Sequence, residues 1–337
     1  MNKQATTELF ELVDKRKYTN ADLEKIKSLL SEGADPNFRQ KEYPNETVLH
    51  RIISSWENKN RLEIVKLLFE FGVNFNLTSD IFYPIDKAVI EGDIDLVQFM
   101  LENGVNQGLD YALKSAIERD NIDLATLLIS FGINVNVAVP YAKSYLIFCC
   151  EAYRIRDRNT KYQTQPGIKM AQLLVNQGID VNGIANDSTP ILEAIAHNFY
   201  ELIDLLVDYG AVIRDEINVP LWVNTVQMFQ FLVKKGIIKN LNKIMLPTEQ
   251  TPLIYHSAQS NFEIVKYLIQ NGANLYHADK HKKTAFHYAL YTENLAFIDY
   301  LLDHYDVKKC HEISSVFNEI DDEKTINKLK TILDTII

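Results

Sequence analysis

Residues 63–76 read EIVKLLFEFGVNFN, and residues 263–275 repeat nearly the same phrase as EIVKYLIQNGANL. In the first copy, apolar side chains at positions i, i+3, i+4 and i+7 predict one buried stripe on a helix: Ile64, Leu67, Leu68 and Phe71. The glycine that follows is typical of a left-handed helix end, since it has no Cβ to clash. Asn or Asp beyond the glycine favours a turn, because its side chain can bond the local backbone.

This phrase occurs nine times along the chain. In eight copies it contains a glycine, at Gly33, Gly72, Gly104, Gly132, Gly178, Gly210, Gly236 and Gly272. The separations of the glycines scatter about 33 residues, a period typical of a helical solenoid. The ninth copy, AFIDYLLDHYDV, has Tyr305 in place of the glycine and ends at Val307.

A second, shorter helix is predicted upstream of most copies. It begins with Thr-Pro in STPILEAIAHN (188–198) and QTPLIYHSAQS (250–260), and with weaker versions in ETVLHRIIS (46–54) and KTAFHYALY (283–291). Threonine before the first turn and proline at the first helical position form a well-founded start signal.

The complete unit resembles the ankyrin repeat, whose consensus carries T-P-L-H-x-A-A and, later, L-L-x-x-G-A-D-V-N. The resemblance covers residues 5–307, although the T-P-L-H tetrad is complete nowhere: YPID stands at 83–86 and VPLW at 219–222. It implies an all-α ankyrin-repeat solenoid of nine helix-turn-helix repeats with capping helices at both ends. We predict a repeat domain over 1–309 and a helical cap over 310–337, because terminal repeats must cover an apolar face.

Composition limits the function classes. The chain has 337 residues, 47% of them hydrophobic, and a formal net charge of −10, which argues against a disordered chain and against nucleic-acid binding. No apolar run approaches the roughly 20 residues of a membrane span, and charges interrupt the N-terminus where a signal peptide would be apolar. Three cysteines favour a reducing compartment, so we expect a cytoplasmic protein. Abundant Asn, Lys, Ile and Tyr are typical of AT-rich genomes and suggest an effector delivered into a host cell.

Two insertions interrupt the period. SSWENKNR (54–61) carries Trp56, which is either an aromatic anchor for a partner or a ring folded back on its own repeat. YRIRDRNTKYQTQPG (153–167) is either a solvated loop or a docking element for an acidic or phosphorylated partner, since arginine binds such groups in pairs of hydrogen bonds. Its cations are Arg154, Arg156, Arg158 and Lys161.

Repeat seven is instead short between its two helices, and Trp222 is expected to fill the vacant space.

Candidate reactive residues have structural explanations. Cys149 and Cys150 occupy the two small-residue positions of T-P-L-H-x-A-A, so we predict that they are buried and inert. His277, Asp279 and His281 alternate on one loop and suggest either a weak zinc site or a polar tip facing a partner. Glycine-rich phosphate loops and hydrolase motifs are lacking from the sequence. We therefore predict no catalysis, no cofactor and no bound metal.

The resemblance also implies a contact surface, formed by the exposed ends of the first helices on a concave face and by the loops between repeats. The helix positions are Ser54, Ser55, Ile90, Glu91, Glu118, Arg119, Glu151, Ala152, Ala196, His197, Ala258, Gln259, Tyr291 and Thr292. The loop positions are Arg39, Lys41, Tyr43, Asp80, Phe82, Lys280, His281 and Lys283. Because Glu91, Glu118 and Glu151 make the centre acidic, a basic protein segment is one candidate ligand.

The predicted function is a monomeric, non-catalytic scaffold or adaptor that binds a partner protein. Alternatives are an enzyme inhibitor or substrate adaptor that uses the 153–167 loop, or an enzyme with an unrecognised site near it. Nucleic acid and membrane insertion are not expected.

Overall fold

The computed structural model describes residues 2–14, 18–39, 41, 44–55, 60–136, 144–150, 167–184, 188–213, 219–292 and 295–304. The chain divides into two compact units. Unit 1 comprises Met1–Glu193 and Leu205–Gly210, and unit 2 comprises Ala194–Asp204 and Ala211–Ile337. Regular structure in the described residues is helical, apart from isolated bridges between Arg39 and Thr47 and between Met245 and Gln250. The predicted boundary at residue 310 lies outside the described residues.

The helices follow the predicted repeats in pairs. In unit 1 they are Lys3–Leu12 and Asn20–Ser31 (repeat 1), Val48–Ser54 and Arg61–Glu70 (repeat 2), Pro84–Glu91 and Ile94–Glu102 (repeat 3), Leu109–Glu118 and Ile122–Ser130 (repeat 4), and 145–150 and Ile168–Asn176 (repeat 5). Repeat 6 has Pro190–Ala196 and Tyr200–Asp208, which the two units share. In unit 2 the second helix of repeat 7 is Val226–Lys234, followed by Pro252–Ala258 and Phe262–Gln270 (repeat 8) and Ala285–Leu290 and Leu295–His304 (repeat 9).

Helix starts follow the predicted signals. Thr47 caps its helix through a capping box with His50, and Thr251 accepts a hydrogen bond from the Ile254 amide while Pro252 opens the helix. Asp93 caps the second helix of repeat 3 by accepting from the Leu96 amide at 3.1 Å. Each cap satisfies an amide that the helix itself leaves unbonded.

The end of the opening phrase shows both a confirmed and a wrong prediction. Gly72 has φ of +83°, as expected, and Val73 then donates to the Leu68 carbonyl at 3.0 Å. Leu68 and Ile64 are fully buried, but Phe71 is 36% exposed and does not belong to the buried stripe. The helix ends at Glu70, so Phe71 is already a cap residue whose ring leaves the helical face.

A ladder of asparagines joins neighbouring repeats within unit 1. Asn37 donates from Nδ2 to the Gly72 carbonyl at 2.9 Å, while its Oδ1 accepts from the Asn74 amide at 2.7 Å. Asn136 repeats this arrangement with Gly178 and Asp180, at 2.9 Å and 2.7 Å. Each of these two asparagines therefore bonds the next repeat through its side chain and its own turn through its backbone amide.

Helices of neighbouring repeats pack on their counterparts. In unit 1 the first helix of repeat 3 packs against those of repeats 2 and 4, and in unit 2 the same holds for repeats 8 and 9. Second helices also pack on second helices, for example in repeats 2, 3 and 4. Each repeat thus buries its apolar stripe only with the help of a neighbour.

Repeat 7 departs from this pattern. The described residues at the place of its first helix form a 3-10 turn, Val219–Leu221, whose Pro220 carbonyl accepts from Nε2 of His256 at 2.8 Å. The prediction that Trp222 fills the space left by the shortening is wrong, because its side chain is 39% exposed.

Candidate functional site

In unit 1 the exposed ends of two first helices lie side by side. Glu91 ends the helix of repeat 3, Glu118 ends that of repeat 4, and Arg119 caps it; all three are exposed. Lys114 donates to Glu118 across 2.7 Å, one helical turn away. Since Lys114 and Arg119 counter the charge of Glu118, the described part of this surface is less acidic than the sequence suggested.

Asp86 lies one turn before Glu91, at the position where the family consensus has histidine. It is only 4% exposed, and Ser115 of the next repeat donates to its Oδ1 at 2.6 Å. Burial raises the pKa of Asp86, while the Ser115 hydrogen bond and the nearby positive charges of Lys114 and Arg119 oppose that shift. The sequence YPID already shows aspartate in place of histidine, but it does not show that Ser115 of the next repeat bonds that aspartate.

Two positions that were expected on the contact surface, Ser55 and Arg39, make internal hydrogen bonds. Ser55 is 4% exposed, donates to the Ile52 carbonyl and accepts from Arg61 at 2.8 Å, so its assignment to the contact surface is wrong. Arg61 also pairs with Asp93 at 3.0 Å. Arg39 donates to the Thr78 carbonyl at 2.6 Å, which holds adjacent loops together.

In unit 2 the predicted contact residues are accessible to different degrees. Gln259 is exposed beyond the first helix of repeat 8, whereas His197 is half-buried. Tyr291 is 40% exposed, and Lys283 donates to its hydroxyl at 2.9 Å with its ammonium 4.7 Å from the ring centroid. This pair links the end of a first helix to the loop that precedes it.

The loop with the candidate zinc ligands is organised around one buried carboxylate. Asp279, 4% exposed, accepts hydrogen bonds from the His281 amide, the Lys283 amide and the Tyr288 hydroxyl at 2.9, 3.0 and 2.6 Å. Burial favours the neutral acid, but these hydrogen bonds outweigh it and lower the pKa of Asp279. Nε2 of His277 donates instead to the Glu249 carbonyl at 2.8 Å.

The three side chains therefore do not converge on a point. Nowhere in the described residues do three or more His, Cys, Asp or Glu side chains lie close enough to share a metal ion. Lys280 and His281 are exposed at the tip of this loop.

The predicted burial of both cysteines is confirmed. Cys149 and Cys150 are 1% and 0% exposed, and burial raises the pKa of the Cys149 thiol far above its usual value. A thiol held protonated in an apolar environment is a poor nucleophile.

Two buried histidines are also structural. Nδ1 of His50 accepts from Thr47, and Nε2 donates to the Phe82 carbonyl at 3.0 Å. Burial lowers the pKa of His50 to about 4, so the ring is neutral at physiological pH. His256 is bonded on both nitrogens, by Asn261 and Pro220, and burial lowers its pKa in the same way.

Several predicted partner-binding residues lie outside the described residues. They are Trp56, Glu151, Arg154, Arg156, Arg158 and Lys161, together with the 153–167 insertion apart from Gly167. Of the helices that can be described, none is both long and apolar enough to traverse a lipid bilayer.

Comparison with known proteins identifies the repeat. A family model described as ankyrin repeats (3 copies) matches residues 17–111 and 222–311, more than half of the chain. Among curated proteins, alpha-latrocrustotoxin-Lt1a of Latrodectus tredecimguttatus is 26% identical over 247 residues, covering 70% of this chain and 15% of the toxin. Putative ankyrin repeat protein FPV022 of fowlpox virus is 23% identical over 250 residues, covering 57% of this chain and 41% of the relative. The chain thus spans well under half the length of either.

A solved structure supports the same fold. The ankyrin repeat protein EF0377 matches 61% of this chain and 98% of its own length, with a TM-score of 0.50 and 21% identity. The human ASB11 ankyrin repeat domain matches 79% of this chain and 98% of its own, with a TM-score of 0.47 and 18% identity.

Proposed function

Because the chain belongs to the ankyrin repeat family, whose repeats generally mediate contacts between proteins, we propose that it is a non-catalytic protein-binding module. Its partner is held by the exposed ends of the first helices and by the loops between repeats. It acts as a scaffold or adaptor. Cytoplasmic location, a monomeric state and delivery into a host cell as an effector remain predictions from the sequence.

The observation that carries this proposal is how the polar groups are distributed. His50, Asp86 and His256 are buried, and each is hydrogen-bonded to a neighbouring repeat. Buried polar groups that are fully bonded stabilise a fold and are not free for acid-base work. Exposed polar residues instead end the first helices, as Glu91 and Gln259 do.

Binding by such a surface has a physical advantage. The exposed residues project from helices whose other faces are packed against neighbouring repeats. A partner therefore does not have to order the surface before binding it, and less affinity is lost to conformational entropy.

Site-specific photo-cross-linking tests the proposal. Benzoylphenylalanine replaces Glu91 or Gln259 at first-helix ends, and Gln98 or Gln270 on second helices of the same repeats serves as the matched control. In extracts of cells that express the protein, we expect one protein to be cross-linked from the first-helix positions and not from the controls. Excess unmodified chain should abolish the product.

Equal cross-linking from first and second helices would refute a binding surface at the helix ends. Turnover of a small molecule by the purified chain would refute the non-catalytic assignment. A captured enzyme whose activity falls in the complex would identify the chain as an inhibitor, the alternative predicted from the sequence.

A further inference from the structure

We propose that two adjacent loops of unit 2 bind an acidic segment of a partner protein that carries an apolar side chain. The loops are residues 239–250 and 276–284, and we call them the basic loop pair. This inference rests on the proposed function and specifies the chemistry of the partner at one part of its surface.

The first argument is charge. The basic loop pair contains Lys239, Lys243, Lys280, Lys282 and Lys283 against Glu249 and Asp279, a net charge of +3 in a chain of −10. Lys239, Lys280 and Lys282 are exposed. Asp279 is buried, and its carboxylate is already bonded by two amides and a hydroxyl, so it is a poor surface counter-ion for the lysines.

The second argument is that the two loops are held together before any ligand arrives. The Lys280 amide donates to the Thr248 carbonyl at 3.2 Å, and His277 donates to the Glu249 carbonyl at 2.8 Å. Within the first loop, the Met245 amide donates to the Gln250 carbonyl at 2.8 Å. Cations fixed on such a frame bind with a smaller ordering cost than cations on independent loops.

The third argument is an apolar contact beside the cations. Leu246 is 79% exposed, the most of any large hydrophobic residue in the described parts of the chain, and Ile244 is 47% exposed. Tyr276 adds a ring that is 37% exposed on the second loop. Apolar side chains next to lysines suit a peptide that alternates carboxylates with a leucine-like residue, because each group then meets its complement.

Charge at longer range favours a short acidic segment over an extended polyanion. At physiological salt the screening length is about 8 Å, so a short segment interacts mainly with the basic loop pair. A nucleic acid or an anionic membrane extends beyond the pair and meets the acidic remainder of the chain, which repels it.

Fluorescence anisotropy with the full chain tests the inference. The probe is a fluorescein-labelled peptide of glutamates around one leucine, and the matched probe has glutamine in place of each glutamate. Three variants are compared: Lys280→Gln with Lys282→Gln, Leu246→Ser, and the control Lys27→Gln with Lys234→Gln. The control removes the same charge from exposed helix positions outside the loops.

We expect the glutamate peptide to bind and the glutamine peptide not to bind. The Lys280 and Lys282 double variant should bind about tenfold more weakly, from two ion pairs lost at the surface. Leu246→Ser should weaken binding about threefold to tenfold, since it removes one partly buried aliphatic contact. The control variant should bind as the wild type does, and added NaCl should reduce only the glutamate-dependent binding.

Equal binding of the two peptides, or an equal loss in the control variant, would overturn the inference. So would tighter binding to oligothymidine or to phosphatidylserine vesicles than to the peptide. Cross-linking from Glu91 or Gln259 together with a failed peptide assay would reject the basic loop pair alone and leave the proposed function standing.

Discussion

Acidification from pH 6.5 to about 4 should destabilise repeat 2 through a single side chain, His50. The imidazole is fully buried, and burial lowers its pKa from 6.5 to about 4. In this window the unfolded chain binds a proton at the imidazole and the folded chain does not. The free energy of unfolding therefore falls as the pH falls through this window. Above pH 6.5 the stability that the neutral His50 contributes is fully present. A gap of about 2.5 pKa units corresponds to a loss of about 3 kcal/mol.

The comparison of wild type with His50→Gln isolates this effect. Glutamine is neutral at every pH, so the variant is less stable at pH 7 but lacks the titration. The difference in free energy of unfolding between the wild type and His50→Gln should narrow by up to about 3 kcal/mol between pH 7 and pH 4. Asp86 titrates in the opposite direction, because burial raises its pKa, but it is present in both proteins and cancels.

Two measurements check the prediction. Hydrogen exchange of peptides covering residues 48–54 and 84–91, at a series of pH values, reports local stability where His50 lies. NMR titration of the imidazole proton, assigned by its disappearance in His50→Gln, gives the pKa directly. A midpoint near 6.5, or parallel pH profiles for the two proteins, would show that burial does not control the ring and refute the reasoning.

Two further predictions concern the ladder and the cysteines. Asn37→Asp keeps the acceptor oxygen but loses the hydrogen bond to the Gly72 carbonyl and places a carboxylate against that carbonyl. Urea denaturation should therefore show a loss of about 1 kcal/mol in the free energy of unfolding. Unchanged stability would mean that the ladder bond contributes nothing. In a Cys310→Ser background, Cys149 and Cys150 should react with maleimide only as fast as repeat 5 opens. Rapid labelling under native conditions would contradict the burial seen here.

The order and spacing of the helices could be predicted because the decisive information is local. Four apolar positions define the buried face of a helix, and a glycine such as Gly72 defines its end. The error at Phe71 arose at a boundary, where the helical period no longer controls the direction of the side chain. The shortening in repeat 7 was predicted as a deletion, but the exposure of Trp222 was not.

Contacts between repeats were much less accessible to sequence reasoning. Asn37 bonds Gly72, and Asp86 bonds Ser115, in each case one repeat further along the chain. The sequence shows that both residues of each pair are present, but not that their atoms lie within hydrogen-bonding distance. The Lys114–Glu118 pair is different: its spacing of four residues on a predicted helix could have corrected the expectation of an acidic surface.

The basic loop pair was missed for a related reason. Lys239 and Lys243 follow one phrase and Lys280 and Lys282 follow the next, so a linear search for charge runs finds only two modest groups. Superposing the chain on its own period brings equivalent loops next to each other. A bond like those of the unit 1 ladder links the repeats at this place in unit 2, where Asn242 accepts from the Asn274 amide at 2.6 Å. In a repeat protein, charge should therefore be summed across equivalent loops.

The same reasoning explains why the buried polar residues of the first helices do not form a reactive site. His50 and Asp86 occupy the consensus histidine position, whereas His256 lies two residues beyond it. The three bond different partners, namely a loop carbonyl, a serine hydroxyl and the carbonyl of a 3-10 turn. Each partner lies in a neighbouring repeat, so every junction is fixed separately. In the function that we propose, selectivity for a partner then arises from exposed residues such as Gln259 and Leu246, because the buried ones already hold the junctions.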